Sequence, residues 1–100
     1  MIKRSGFLLK REDLTPEQFR QYWVEQHAPL VRELAAPTHY VINVVDREQW
    51  PDFPYDGFSE LWFETPPDAA TFAPGSPIKE DEMQFLAGVH VVTMDEHTVC

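Results

Sequence analysis

The sequence holds one cysteine, Cys100, so no internal disulfide can staple the fold. A lone thiol suits a reducing compartment, and a cytoplasmic location is expected. Basic side chains are scarce: 8 Lys and Arg stand against 17 Asp and Glu, a formal net charge of −9. Only Lys3-Arg4 and Lys10-Arg11 are adjacent, and neither pair makes a patch. Nucleic acids and anionic membranes need clustered cations, so neither is an expected partner. No apolar run nears the roughly 20 residues of a membrane span. The opening MIKRSGFLLK is too short in its apolar part for a signal peptide. Close ligand pairs such as H-x-x-x-H are missing among the 4 histidines, so no metal or other cofactor is expected.

What is present supports one domain over residues 1–100, with 43% hydrophobic residues. At this size the core is thin, and an additional source of burial is expected. Residues 2–10 read as a strand. Thr15, Pro16 and Gln18 then form a complete helix start: N-cap, first-turn proline and capping-box partner, with Leu14 and Phe19 as a hydrophobic staple. HYVINVVDR (39–47) is β-branched and aromatic, a second strand. EQWPDFPYDG follows as a linker, its Trp50–Tyr55 part either a lid over a pocket or a long hairpin loop. FSELWFE (58–64) is a third strand. A second helical region opens at Thr65-Pro66-Pro67-Asp68, breaks at Ala73-Pro74-Gly75, and restarts at Ser76-Pro77. The restarted piece carries Ile78, Glu82, Phe85 and Leu86 and stops at Gly88, before a strand over 89–94.

The order β-α-β-β-α-β predicts an α+β, ferredoxin-like fold: a four-stranded antiparallel sheet with helices on one face. The other face should be polar, yet both faces of the second and third strands are apolar. Tyr40, Ile42 and Val44 oppose Val41 and Val45; Phe58 and Trp62 oppose Leu61 and Phe63. An open apolar face of that size needs a cover, and a homodimer packing through the open sheet faces is expected.

The first helix raises the chemical question. Its apolar stripe reads Phe19, Tyr22, Trp23, Gln26, His27, Leu30, Val31, Leu34, so His27 lies inside it. Pro29 cannot donate to the Glu25 carbonyl and disfavours helical geometry at Ala28, so the helix should bend or break within Glu25 to Ala28. Two readings stand for His27. It is a core histidine donating to a carbonyl, or a buried neutral imidazole that moves protons in a cavity.

The pattern F-x-x-Y-W-x-E-x-H-A-P-L (Phe19, Tyr22, Trp23, Glu25, His27, Ala28, Pro29, Leu30) resembles the EthD family of dimeric α+β barrel proteins. G-F-S-E-L-W-F and D-E-x-x-F-L (Asp81, Glu82, Phe85, Leu86) are similar to it as well. The resemblance implies a dimeric α+β barrel with a pocket between sheet and helices in each subunit. It also implies cofactor-free histidine chemistry, as in related lactone isomerases and polyketide decarboxylases or dehydratases, while other members have no assigned reaction. Only His27 carries over as an acid/base. The cysteine that some relatives add to the site has no match here.

Tyr22, Trp23, Tyr40 and Trp62 are core aromatics by default, and beside a buried histidine they also suit a flat hydrophobic ligand. Asn43 pairs either with backbone or with a bound carbonyl. His90, on a face with Val92 and Met94, should be partly buried, as a pocket residue or as a core or dimer contact. His39 is placed at a rim and His97 in solvent. Two functions remain open beside a third reading, a dimeric scaffold whose pocket is filled. One is a cofactor-independent lyase, isomerase or cyclase acting through His27 on a small aromatic or polyketide-like compound, in a catabolic or biosynthetic pathway. The other is a non-catalytic dimeric binding or accessory module for a hydrophobic metabolite.

Overall fold

A computed structural model describes residues 1–100. Strand β1 (Ile2–Lys10) is followed by α1 (Pro16–Tyr22), a π-helical turn (Trp23–His27) and α2 (Ala28–Ala35). Then come β2 (His39–Val44), β3 (Gly57–Phe63), a 3-10 turn (Ala69–Phe72), α3 (Pro77–Glu82) and β4 (Leu86–Met94). The strands form one sheet in the order β2-β3-β1-β4, every pair antiparallel. The fold is the ferredoxin-like α+β sandwich expected from the element order.

The helix start is as anticipated. Thr15 accepts from the Gln18 N–H at 3.1 Å, and the Gln18 side chain accepts from the Thr15 N–H at 2.9 Å. The expected bend takes the form of the π turn, in which the Ala28 N–H reaches the Trp23 carbonyl. That wider turn seats Pro29 in the first turn of α2, where its missing N–H matters least. It also sets the buried line. Phe19, Trp23, His27 and Val31 are the buried residues of the whole segment, spaced four apart. In a plain α-helix a four-residue step drifts by about 40° each time. A π turn holds more residues per turn and absorbs that drift, so all four stay aimed at the sheet. Gln26 and Leu34, assigned to the stripe from sequence, are exposed for the same reason.

Several boundaries differ from the sequence reading, and β3 runs over Gly57–Phe63 instead of 58–64. β2 stops at Val44 rather than Arg47, because Arg47 folds the following loop around itself. Its guanidinium donates to the carbonyls of Trp50, Phe53 and Tyr55 and to Asp56 Oδ1, at 2.7–3.2 Å. α3 ends at Glu82, and β4 begins at Leu86 instead of Val89, since Leu86 already pairs with Lys10. Phe85, now between the elements, is fully buried.

The register sorts the sheet into two faces. Toward the helices lie Arg4, Gly6 and Leu8 of β1, Tyr40 and Ile42 of β2, Ser59, Leu61 and Phe63 of β3, and Val89 and Val91 of β4. The core is built there, from Leu8, Phe19, Trp23, Phe85 and Leu86 at one end and Val31, Leu61, Phe63 and Ile78 at the other. The open face is less apolar than expected. Rows His39–Trp62–Lys3–Met94, Val41–Glu60–Ser5–Val92 and Asn43–Phe58–Phe7–His90 cross it. Lys3 pairs with Glu60 and with Glu96, each at 2.8 Å, so a polar network sits among the hydrophobic side chains.

At Gly57 a side chain would place its Cβ 2.6 Å from both the Asn43 carbonyl oxygen and the Trp23 ring. Neither backbone nor a buried indole can yield easily. Gly57→Ala is therefore expected to lower the unfolding free energy by about 1–3 kcal/mol, measured by urea denaturation; an unchanged midpoint would show that Trp23 is not tightly seated.

Candidate functional site

His27 is 5% exposed and sits where the π turn faces the sheet. Its Nδ1 lies 2.7 Å from Asp81 Oδ2, and the Tyr22 hydroxyl donates to Asp81 Oδ1 at 2.7 Å. Asp81 is on α3, so one carboxylate holds two side chains of the neighbouring helical segment. Burial pushes the Tyr22 phenol up from its usual 10.0 to about 12, and the hydrogen bond to Asp81 adds to this. Tyr22 is thus a donor at neutral pH. Asp81 accepts from both partners, which puts the proton of a neutral His27 on Nδ1 and its lone pair on Nε2. The Phe85 ring backs the imidazole at a centroid distance of 4.8 Å.

Beside His27 lies a half-open cavity with a volume of about 40 Å³. Its floor owes its depth to two small residues on the inner strands, Gly6 and Ser59, which pair across β1 and β3. Trp23, Val31, Leu61, Ile78 and Phe72 make apolar walls, and Arg4, Tyr40 and Glu82 add polar groups. Burial pushes the Tyr40 hydroxyl up to about 12, and the charge of Glu82 works in the same direction.

Of the residues singled out from sequence, His27, Trp23 and Tyr40 meet at this cavity, and Tyr22 supports it from behind through Asp81. Asn43, Trp62 and His90 do not join them. All three are on the opposite face of the sheet, because strand alternation sends odd-numbered β2 and even-numbered β3 and β4 residues away from the helices. Asn43 donates to Glu60 at 2.9 Å and Trp62 to Glu96 at 2.7 Å. His90 is exposed rather than partly buried, with the Tyr55 hydroxyl 3.2 Å from its Nδ1. The Trp50–Tyr55 segment is not a lid over His27. It lines an apolar hollow with Phe7 and Phe58 on the open face.

Sequence reading missed Asp81 as the partner of His27, and it missed Arg4 and Glu82 in the cavity. A buried imidazole flanked by two helices does call for an acceptor, and Asp81 sits in the D-E-x-x-F-L segment already noted. No third ligand-type side chain joins His27 and Asp81, and no group of three or more such residues converges elsewhere.

The sequence pattern of the EthD domain family matches residues 11–88. The chain belongs to the EthD family. Among solved structures it is similar to an EthD family protein from Bacillus halodurans C-125, with a TM-score of 0.68 and 14% identity, over 97% of this chain and 100% of that one. At that identity the likeness is one of fold. No curated protein matches the chain. No helix of this EthD chain is long and apolar enough to cross a membrane.

Both tyrosines are held as neutral phenols in the folded chain. Their contribution to stability is complete below pH 10.0 and lost as pH rises through about 12. Urea midpoints measured from neutral pH upward are expected to fall across this window, and to fall less steeply in Tyr40→Phe; an identical slope in that variant would place Tyr40 in solvent.

Proposed function

We propose that this EthD protein is a cofactor-independent enzyme of the lyase, isomerase or cyclase type, with His27 as its proton carrier. The observation that carries the reading is the relay Tyr22–Asp81–His27 ending at a cavity with one ring nitrogen uncommitted. Nε2 takes a proton from a carbon beside a substrate carbonyl, and the C–H electron pair moves onto the carbonyl oxygen as an enolate. The imidazolium so formed is stabilised by Asp81. Returning the proton to another carbon completes an isomerisation; giving it to a departing β-hydroxyl completes a dehydration. Tyr40, which keeps its proton at neutral pH, is placed to donate to the substrate oxygen, and the apolar walls exclude water.

The cavity volume limits the part of the substrate that reaches His27. A cavity that holds benzene measures about 150 Å³, against the 40 Å³ here, so only the reacting end of a molecule enters. The ligand is accordingly small, or slender at that end, rather than a rigid polycyclic polyketide. The same tightness favours a second reading, a non-catalytic accessory module in which Asp81 simply satisfies a buried histidine. Deuterium wash-in at the acidic carbon of butenolide and 1,3-dicarbonyl probes in D2O separates the two. The enzyme reading expects catalysed exchange that drops by about 10²–10⁴-fold in His27→Gln. Exchange equal to buffer, with a melting temperature lowered by the same substitution, would leave only the accessory role.

We also propose that the chain works as a homodimer through its open sheet face. Phe58, Val92 and Met94 are 36–42% exposed there, and the Phe7–Phe58–Tyr55 cluster adds apolar area. Sedimentation is expected to give twice the 11.7 kDa of one chain, and Phe58→Glu to give a folded monomer. A wild-type chain that sediments as a monomer at all concentrations refutes the pairing.

A further inference from the structure

The helix-facing side of β1 places Arg4 between Leu61 of β3 and Thr93 of β4, on an inner strand of the sheet. The next residues on that face, Gly6 and Leu8, are small or apolar as an inner position requires. A cation is out of place there. Arg4 is half-buried, donates no hydrogen bond to the chain, and has no carboxylate within ion-pair reach. The nearest acid of the cavity lining, Glu82, is paired with Lys79 at 3.2 Å. Burial lowers the pKa of Arg4 from its ordinary value, and the charge of Glu82 works the other way. In a chain of net charge −9, this half-buried cation has no partner of its own and is left to solvent or to a bound anion.

The geometry shows where that something would bind. The Arg4 Cζ lies 4.0 Å from the centre of the Phe72 ring, a cation–π contact that holds the guanidinium at this place. The cation–π contact takes none of the guanidinium N–H donors, and their fork matches the two oxygens of a carboxylate. No buried side-chain nitrogen or oxygen lacks a partner, so the unpaired Arg4 donors are reached by solvent, and Arg4 lines the His27 cavity. Gly6 and Val91, the next residues toward the cavity on β1 and β4, line it with Arg4.

We propose that Arg4 anchors the substrate and that the substrate is a small organic monocarboxylate whose C–H bond is made acidic by a neighbouring carbonyl. The inference rests on the acid–base reading of His27 and assigns the class of molecule that site takes. The carboxylate seats on the Arg4 fork, and the carbon to be deprotonated is carried toward His27. A doubly charged phosphate is disfavoured, because Arg4 is the one unpaired cation of the cavity and Glu82 stands on its wall.

The test is titration of the full chain followed by ¹H–¹⁵N NMR, with acetate, pyruvate, acetamide and inorganic phosphate as probes. Acetate and pyruvate are expected to shift the Arg4 Nε–H and the amides of Gly6 and Val91, while acetamide, the neutral isostere, does not and phosphate binds more weakly. Arg4→Lys keeps the charge without the fork and should weaken acetate by about tenfold. Arg4→Met keeps an apolar stem against Phe72; it should abolish acetate binding and raise the melting temperature. Equal responses to acetate and acetamide, phosphate binding more tightly than acetate, acetate binding retained in Arg4→Met, or a melting temperature lowered by that substitution would each overturn the proposal. The two readings fail separately. Carboxylate binding without deuterium wash-in removes only the His27 chemistry, whereas His27-dependent wash-in on neutral probes with no carboxylate binding removes only the Arg4 anchor.

Discussion

The Asp81 carboxylate grips two side chains of the long helix, and the geometry of the cavity follows from that grip. Charge-assisted hydrogen bonds at 2.7 Å to His27 and Tyr22 join α3 to the helical segment that ends α1 and forms the π turn. Left without Asp81, a buried imidazole N–H would lack its acceptor, a penalty of about 1–3 kcal/mol. The same contact fixes the His27 tautomer and the direction of its second nitrogen. A structural tie and a chemical setting are thus one interaction, so a change at Asp81 acts on both stability and proton transfer.

The helix irregularity and the sheet composition cooperate around this tie. A straight α-helix would carry a four-residue row around its own surface, and Pro29 would clash with it. The π turn resolves both problems and leaves His27 between Trp23 and Val31. Below it, Gly6 and Ser59 occupy paired positions where larger side chains would fill the space. The hollow exists because the helix supplies bulky neighbours and the inner strands do not. The tolerance for a cation at Arg4 has the same origin: the mouth of the hollow keeps its donors wet.

Much of the fold was legible in local signals. Thr15, Pro16 and Gln18 announce the helix, Ser76-Pro77 the later one, and alternating β-branched residues the strands. Boundaries failed where a distant partner decided them. Arg47 ends β2 early by gathering carbonyls from its own loop, and Lys10 recruits Leu86 into β4. The site was half legible. His27, Trp23 and Tyr40 were found through helix periodicity and an aromatic strand, but Asn43, Trp62 and His90 were credited to the wrong side of the sheet. Their residue types suit a pocket, and type alone does not tell which face of a sheet the helices cover.

By itself the sequence determined the order of the elements, the family of the fold, and the inward placement of one histidine at a distorted turn. These depend on neighbours within a few residues: caps, prolines and the spacing of apolar side chains. Only the tertiary structure decided that His27 answers to Asp81, that Gly6 and Ser59 open a hollow in front of it, and that Arg4 stands in that hollow unpaired. Those contacts join residues far apart in the chain, and they exist only once the register of four strands and the packing of two helices are set.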